Sequence, residues 1–161
     1  MRIINLYASE TRLKADNLFG GYAGEDRITA LVIHLDRKLR GKYEYYLRFC
    51  DDNQFKRGGM TVTEKLDASK GIIIFSLPKS LMVEGLLRIQ LVVSEKGRVL
   101  FSPTLRGGAY IDKKPEGYVS PHEGEGFLQI YDINEYIGLK RRGETVWDTI
   151  LRCEQEKDGN G

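Results

Sequence analysis

The sequence predicts a mainly β protein: an antiparallel β-sandwich over residues 1–112, followed by a short α-helical appendix. Three observations predict it. Short alternating or continuous apolar runs follow one another between turn signals, with no convincing helical period among them. The most apolar stretch, 71–94, reads as two buried strands joined by a connector that Pro78 starts and Gly85 ends. The composition then shifts after Asp112: residues 113–126 hold two of the four prolines and three glycines, and read as a linker or long loop.

In chain order, residues 2–7 read as a short edge strand, and the polar run 8–17 as loop or a weak helical turn. Gly20, Gly21 and Gly24 then lie close together and open backbone angles closed to other residues. A phosphate-binding loop requires Gly-Lys-Ser/Thr and a helix after it; neither follows, so 18–26 reads as a loop or bulge. Residues 27–35 alternate Thr29, Leu31, Ile33 and Leu35 against Ile28, Ala30, Val32 and His34, mostly apolar on both faces as in a central strand. His34 has no partner cluster near it in sequence and reads as a hydrogen-bonded or rim histidine. Residues 36–42 are a charged turn closed by Gly41.

Residues 42–50 place Tyr43, Tyr45, Leu47 and Phe49 on one face and Glu44, Tyr46, Arg48 and Cys50 on the other, a half-buried antiparallel strand. Asp51, Asp52 and Asn53 put oxygen-bearing side chains in a row. The spaced calcium loop with its closing Glu is missing, and they read as turn residues. Residues 60–66 follow as a strand with Met60, Val62, Glu64 and Leu66 on one face and a polar outward face of Thr61, Thr63 and Lys65.

Residues 72–77 are apolar on both faces and are expected inside a sheet pair, until Pro78, which has no amide donor for a ladder, stops them. A turn or helical turn over 79–84 leads to 86–94, with Leu87, Ile89, Leu91 and Val93 toward the core. Glu95-Lys96-Gly97-Arg98 fits a hairpin loop, 99–102 its returning strand, and 107–111 a last short edge strand.

Beyond the linker, Asp132 and Glu135 have capping-box spacing before Ile133, Tyr136 and Ile137, and Thr145 and Asp148 repeat it. Val146, Trp147, Ile150 and Leu151 then share one face of a predicted amphipathic helix over 146–156. These four are the predicted partner-binding residues, because the segment lies past a linker and carries the only Trp. Packing on its own sandwich is the competing reading. His122-Glu123 lacks the second histidine of a zinc-protease motif.

A chain of 161 residues buries roughly 70% of its unfolded surface and needs no staple. With 25 basic and 23 acidic residues the net charge is only +2, which excludes a strong field for nucleic acid or an anionic membrane. Cys50 and Cys153 lie far apart in sequence and signal neither a metal site nor a disulfide framework. The N-terminal apolar run is too short for a signal peptide and no window approaches a ~20-residue span, so synthesis in a reducing cytoplasm is expected.

With the strands laid out, the run Leu77-Pro78-x-x-Leu81-x-x-x-Gly85-x-Leu87-x-x-Gln90-Leu91, preceded by the Tyr, Leu and Phe strand at 43–49, resembles the N-terminal β-sandwich of phage baseplate upper proteins. Similar domains occur in other tail-associated proteins of Gram-positive phages and prophages. The resemblance covers about residues 26–105. It implies an immunoglobulin-like, non-catalytic assembly domain that connects the tail tip to host-binding parts. Leu77, Pro78, Leu81, Gly85 and Leu91 would be fold-determining positions. The implied partners are other tail or baseplate proteins, with a homo-oligomer as a further expectation; the implied location is the virion tail after synthesis in the bacterial cytoplasm. Family members commonly continue into long fibre-like or coiled segments, whereas 49 residues follow Asp112 here.

The main alternative is a carbohydrate-binding β-sandwich, with Tyr22, Tyr46, Tyr110 and Tyr118 as the rings that would stack on sugar faces. A hydrolase has little support: there is no Gly-x-Ser-x-Gly elbow, and neither histidine has a recognisable Ser or Cys partner. No catalytic residue, cofactor or metal is expected. Exposed coplanar tyrosines would favour sugar binding; an apolar patch over a sheet edge would favour assembly.

Overall fold

Leu31, Leu47 and Leu91 are each fully buried, and they come from three strands that the sequence reads as alternating. The structure is a computed structural model and describes residues 1–118. Strands take up 49% of those residues and helical turns 13%, so the mainly β, sandwich-like class is the observed one. In chain order the elements are β1 (Arg2–Ala8), β2 (Arg12–Ala15), β3 (Phe19–Tyr22), β4 (Thr29–Leu35), β5 (Glu44–Cys50), helix α1 (Asp52–Arg57), β6 (Thr61–Val62), β7 (Ile72–Ser76), β8 (Gly85–Glu95), β9 (Arg98–Phe101), β10 (Thr104–Leu105) and β11 (Ala109–Asp112).

Two groups of strands supply the core. In one the order is β2, β1, β4, β7; in the other β6 and β5 lie on one edge of β8. The second edge of β8 takes β11 at its start, β10 at Gln90 and β9 at its end. β10 also pairs with β2, which carries the hydrogen-bonded path from one group into the other. Ile4, Leu6, Leu31, Ile33 and Ile73 from the first group share one buried cluster with Tyr45, Leu47, Phe49, Ile89 and Leu91 from the second. Phe49 of β5 stacks on Phe75 of β7 across that core, with ring centroids 5.4 Å apart. The buried Tyr45 hydroxyl donates to the Leu39 carbonyl at 2.7 Å, which satisfies its polar end.

The long readings hold. β4 is buried at every position, as a central strand with two apolar faces should be. β5 and β8 pair antiparallel over seven residues, from Glu44↔Ser94 to Cys50↔Arg88, with the predicted faces inward. Lys96 and Gly97 both have positive φ, as the two-residue turn between β8 and β9 requires.

Short elements differ from expectation. β1 lies between β2 and β4 instead of at an edge, and its pairing with β4 is parallel. Residues 12–15 form β2 inside the predicted loop: only Leu13 is buried there, so the run reads as polar. The glycine-rich stretch supplies β3, parallel to β11 with a register shift at Tyr110 and Ile111. β11 therefore sits between β3 and β8 and is not an edge strand. β7, expected inside, pairs among the described residues with β4 alone, and Ile74, Phe75 and Ser76 are half-buried. The strand predicted over 60–66 shrinks to Thr61–Val62, with an isolated bridge at Leu66. Three pairings are parallel, β1 with β4, β2 with β10 and β3 with β11, where sequence pattern led to an antiparallel expectation.

The helix predicted over 146–156 with Val146, Trp147, Ile150 and Leu151, both capping-box starts beyond the linker, His122-Glu123 and Cys153 lie outside the described residues. Among the described residues no helix is long and apolar enough to cross a membrane.

Candidate partner-binding face

The alternation that buries Tyr45, Leu47 and Phe49 must turn Tyr46, Arg48 and Cys50 to the other side of β5, and the same rule turns Leu86, Arg88, Gln90 and Val92 outward on β8. Register brings these together: Arg48 faces Gln90 and Cys50 faces Arg88. β6 adds Val62 opposite Arg48, and β11 adds Tyr110 opposite Leu86. Phe55, Met60, Val62, Leu86 and Tyr110 are all exposed on or beside this face, Phe55 at 60%. The same face carries an apolar-walled groove of about 170 Å³, lined by Arg48, Cys50, Met60, Arg88, Gln90 and Thr104.

Helix α1 closes one end. Asp51 caps it, accepting from the Gln54 amide at 2.8 Å while Gln54 Oε1 accepts from the Asp51 amide at 3.1 Å. Gln54 Nε2 donates to Thr61 Oγ1 at 2.6 Å, and Thr63 Oγ1 accepts from the Leu47 amide at 3.0 Å. The threonines predicted to face outward are thus taken up in tying this edge, and Val62 is the residue that faces solvent. No α1 side chain is buried, which leaves Phe55 on the surface. Arg88 lies 3.9 Å from the Phe55 ring centroid and donates to Asp52 at 3.1 Å. Asp52 also accepts from the Leu86 amide at 3.2 Å, and that bond, followed by Arg88, holds its carboxyl below the ordinary range. Arg48 has no such partner among the described residues.

A second polar cluster lies at the β3 side. Glu25, 1% exposed, accepts from Arg2 at 2.8 Å, from the Tyr22 amide at 2.7 Å and from the Tyr118 hydroxyl. Burial alone would push its carboxyl up; the bonds from Tyr118, the Tyr22 amide and Arg2 outweigh that and hold it below the ordinary range. Arg2 also lies over the Phe19 and Tyr22 rings at 5.0 and 5.7 Å. This cluster ties loop, strand and the chain after β11 together.

No protein-family model matches the chain, and no curated protein matches it. Among solved structures it is similar to the N-terminal domain of phage TP901-1 ORF48, at 16% identity and a TM-score of 0.46, over 70% of this chain and 98% of that one.

The four tyrosines named for sugar stacking do not form one platform. Tyr22 and Tyr118 meet at 4.7 Å with planes tilted by 51°. Tyr46 faces Val92 and Tyr110 faces Leu86, positions about 20 Å apart along β8 at roughly 3.3 Å per residue. Asp51 and Asp52 serve as cap and ion-pair partner, and no group of three or more His, Cys, Asp or Glu among the described residues is placed to hold a metal ion. His34 Nε2 lies 2.9 Å from Asn5 Oδ1 and its ring stacks on Tyr7 at 4.9 Å, the hydrogen-bonded histidine expected. The groove residues were not singled out from sequence. The available signal was the outward set of the two longest alternating strands, with two arginines in it.

Proposed function

We propose that this chain is a non-catalytic, immunoglobulin-like assembly module of a phage or prophage tail, working through contacts with other tail or baseplate proteins. The observation that carries this reading is the outer face of β5, β6 and β8: exposed Phe55, Met60, Val62 and Leu86 lie on or beside it, and its groove has Met60 and two arginines in its wall. Exposed apolar side chains gathered on one sheet face and mixed with arginine have the make-up of a binding surface. The resemblance of 26–105 to baseplate upper proteins supplies the setting, and the separation of Tyr46 from Tyr110 weighs against a sugar platform.

The direct test is an antibody against this chain applied to phage particles released from its source bacterium. Labelling of the tail is expected. Unlabelled particles, together with a saturable signal on a glycan array that Tyr110→Ala removes, would overturn the reading in favour of the carbohydrate module.

A further inference from the structure

We infer that the groove between β5, β6 and β8 takes an acidic chain segment of another protein, with a carboxylate on Arg48 and a neighbouring apolar side chain against Met60 and Val62. This rests on the assembly reading and names its partner by chemistry. Three carboxylates on or beside this face are already engaged. Asp52 holds Arg88 and the Leu86 amide, Glu44 accepts from Tyr46 at 2.9 Å, and Asp112 accepts from the Lys113 amide at 2.7 Å. Among the described residues the Arg48 side chain has no ion-pair or hydrogen-bond partner, and no carboxylate lines the groove.

Geometry sets the order of the two anchors. Arg48 stands directly between Val62 of the short edge strand and Gln90 of β8, so a guanidinium and an exposed aliphatic side chain are cross-strand neighbours. A planar guanidinium binds a carboxylate through two parallel hydrogen bonds, and the apolar walls beside it reward an adjacent aliphatic or aromatic residue. β6 is only two residues long and pairs with β5 alone among the described residues, so its other edge carries no described strand.

The test uses the full chain and a fluorescein-labelled heptapeptide, Gly-Glu-Leu-Asp-Phe-Glu-Gly, read by fluorescence anisotropy. Its counterpart replaces the three acids with lysine. Saturable binding of the acidic peptide is expected, at least about tenfold tighter than the lysine peptide. Arg48→Glu should abolish that preference, Arg48→Gln should reduce it, and Arg98→Glu on the distant β9 hairpin should leave it unchanged. Far-UV circular dichroism of each variant reports whether the fold is retained.

Equal binding of both peptides, no saturable binding, or indifference to Arg48→Gln would overturn the inference. So would a doubled solution mass that Arg48→Glu returns to one chain, since the occupant would then be a second copy. Tail labelling without peptide binding sinks the partner chemistry alone; peptide binding without tail labelling sinks the tail assignment alone.

Discussion

Tyr118 donates its hydroxyl to Glu25 across 93 residues of sequence, and Glu25 is at the same time the ion-pair partner of Arg2 at the start of β1. The chain after β11 is thereby fixed to the first strand through one buried carboxylate.

Replacing that carboxylate should be costly in a pH-dependent way. Glu25→Gln removes the charge that Arg2 compensates, and a loss of about 3 kcal/mol at neutral pH is expected for a broken buried pair. Because the folded-state carboxyl titrates below its ordinary value, the stability it contributes is complete above that ordinary value and is lost as pH falls through the folded one. Urea midpoints of both chains from pH 7 to pH 3 should therefore converge on acidification. A constant gap would show that the charge of Glu25 contributes nothing.

Gly21→Ala should disturb the same cluster from the backbone side. Gly21 has φ +116°, and a Cβ there would collide with the Arg2 guanidinium and lie 2.7 Å from Glu25 Oε1. Strain in the backbone alone suggests about 1–3 kcal/mol, measured by thermal unfolding. A loss under about 0.5 kcal/mol would mean that Arg2 swings clear at no cost.

Phe49 and Phe75 join the two groups of strands, so their coupling reports on how well those groups are packed together. Phe49→Ala should cost about 3–5 kcal/mol, and a double-mutant cycle with Phe75→Ala should return a coupling of about 0.5–1.5 kcal/mol. Additive single effects would remove the stacked pair from the account of the core.

Asp51→Ala should cost about 1 kcal/mol through loss of the α1 cap, with faster amide exchange over 52–58 and little change in β8. Unchanged exchange in that segment would show that its tie to Thr61 holds it without the cap.

The elements that could be read from sequence are those whose faces are buried along their whole length. β5 and β8 have apolar positions at the period of their pleat, β4 is apolar on both faces, and their core residues are the predicted ones. What pairs with what was not legible. β1 has the same alternation whether it sits at an edge or between β2 and β4, since hydrogen-bonding partners leave no mark on hydropathy. β2 and β3 are four residues each, too short for a period to show. α1 has no buried side chain and so no apolar stripe; the clue it does carry is Asp51 and Gln54 at capping-box spacing, which a turn reading passes over. The same cause hid the candidate face. Val62 alternates with Met60 and Leu66 as a core residue would, yet a two-residue edge strand set opposite Arg48 turns it to solvent.

β8 meets its second row of neighbours late in synthesis. The strands that line that edge, β9, β10 and β11, all lie downstream of it, and β10 and β11 also pair with β2 and β3. A nascent chain that ends before Thr104 therefore has the strands of both groups but not the stitch between them, and the part of the β8 edge that β10 and β11 cover stays open to foreign pairing. The pairings that link β8 to β2 and β3 are completed only by residues 104–112. A stop codon between 98 and 104 would release a chain in which most of the core residues are present and the strand that joins the two groups is missing or incomplete.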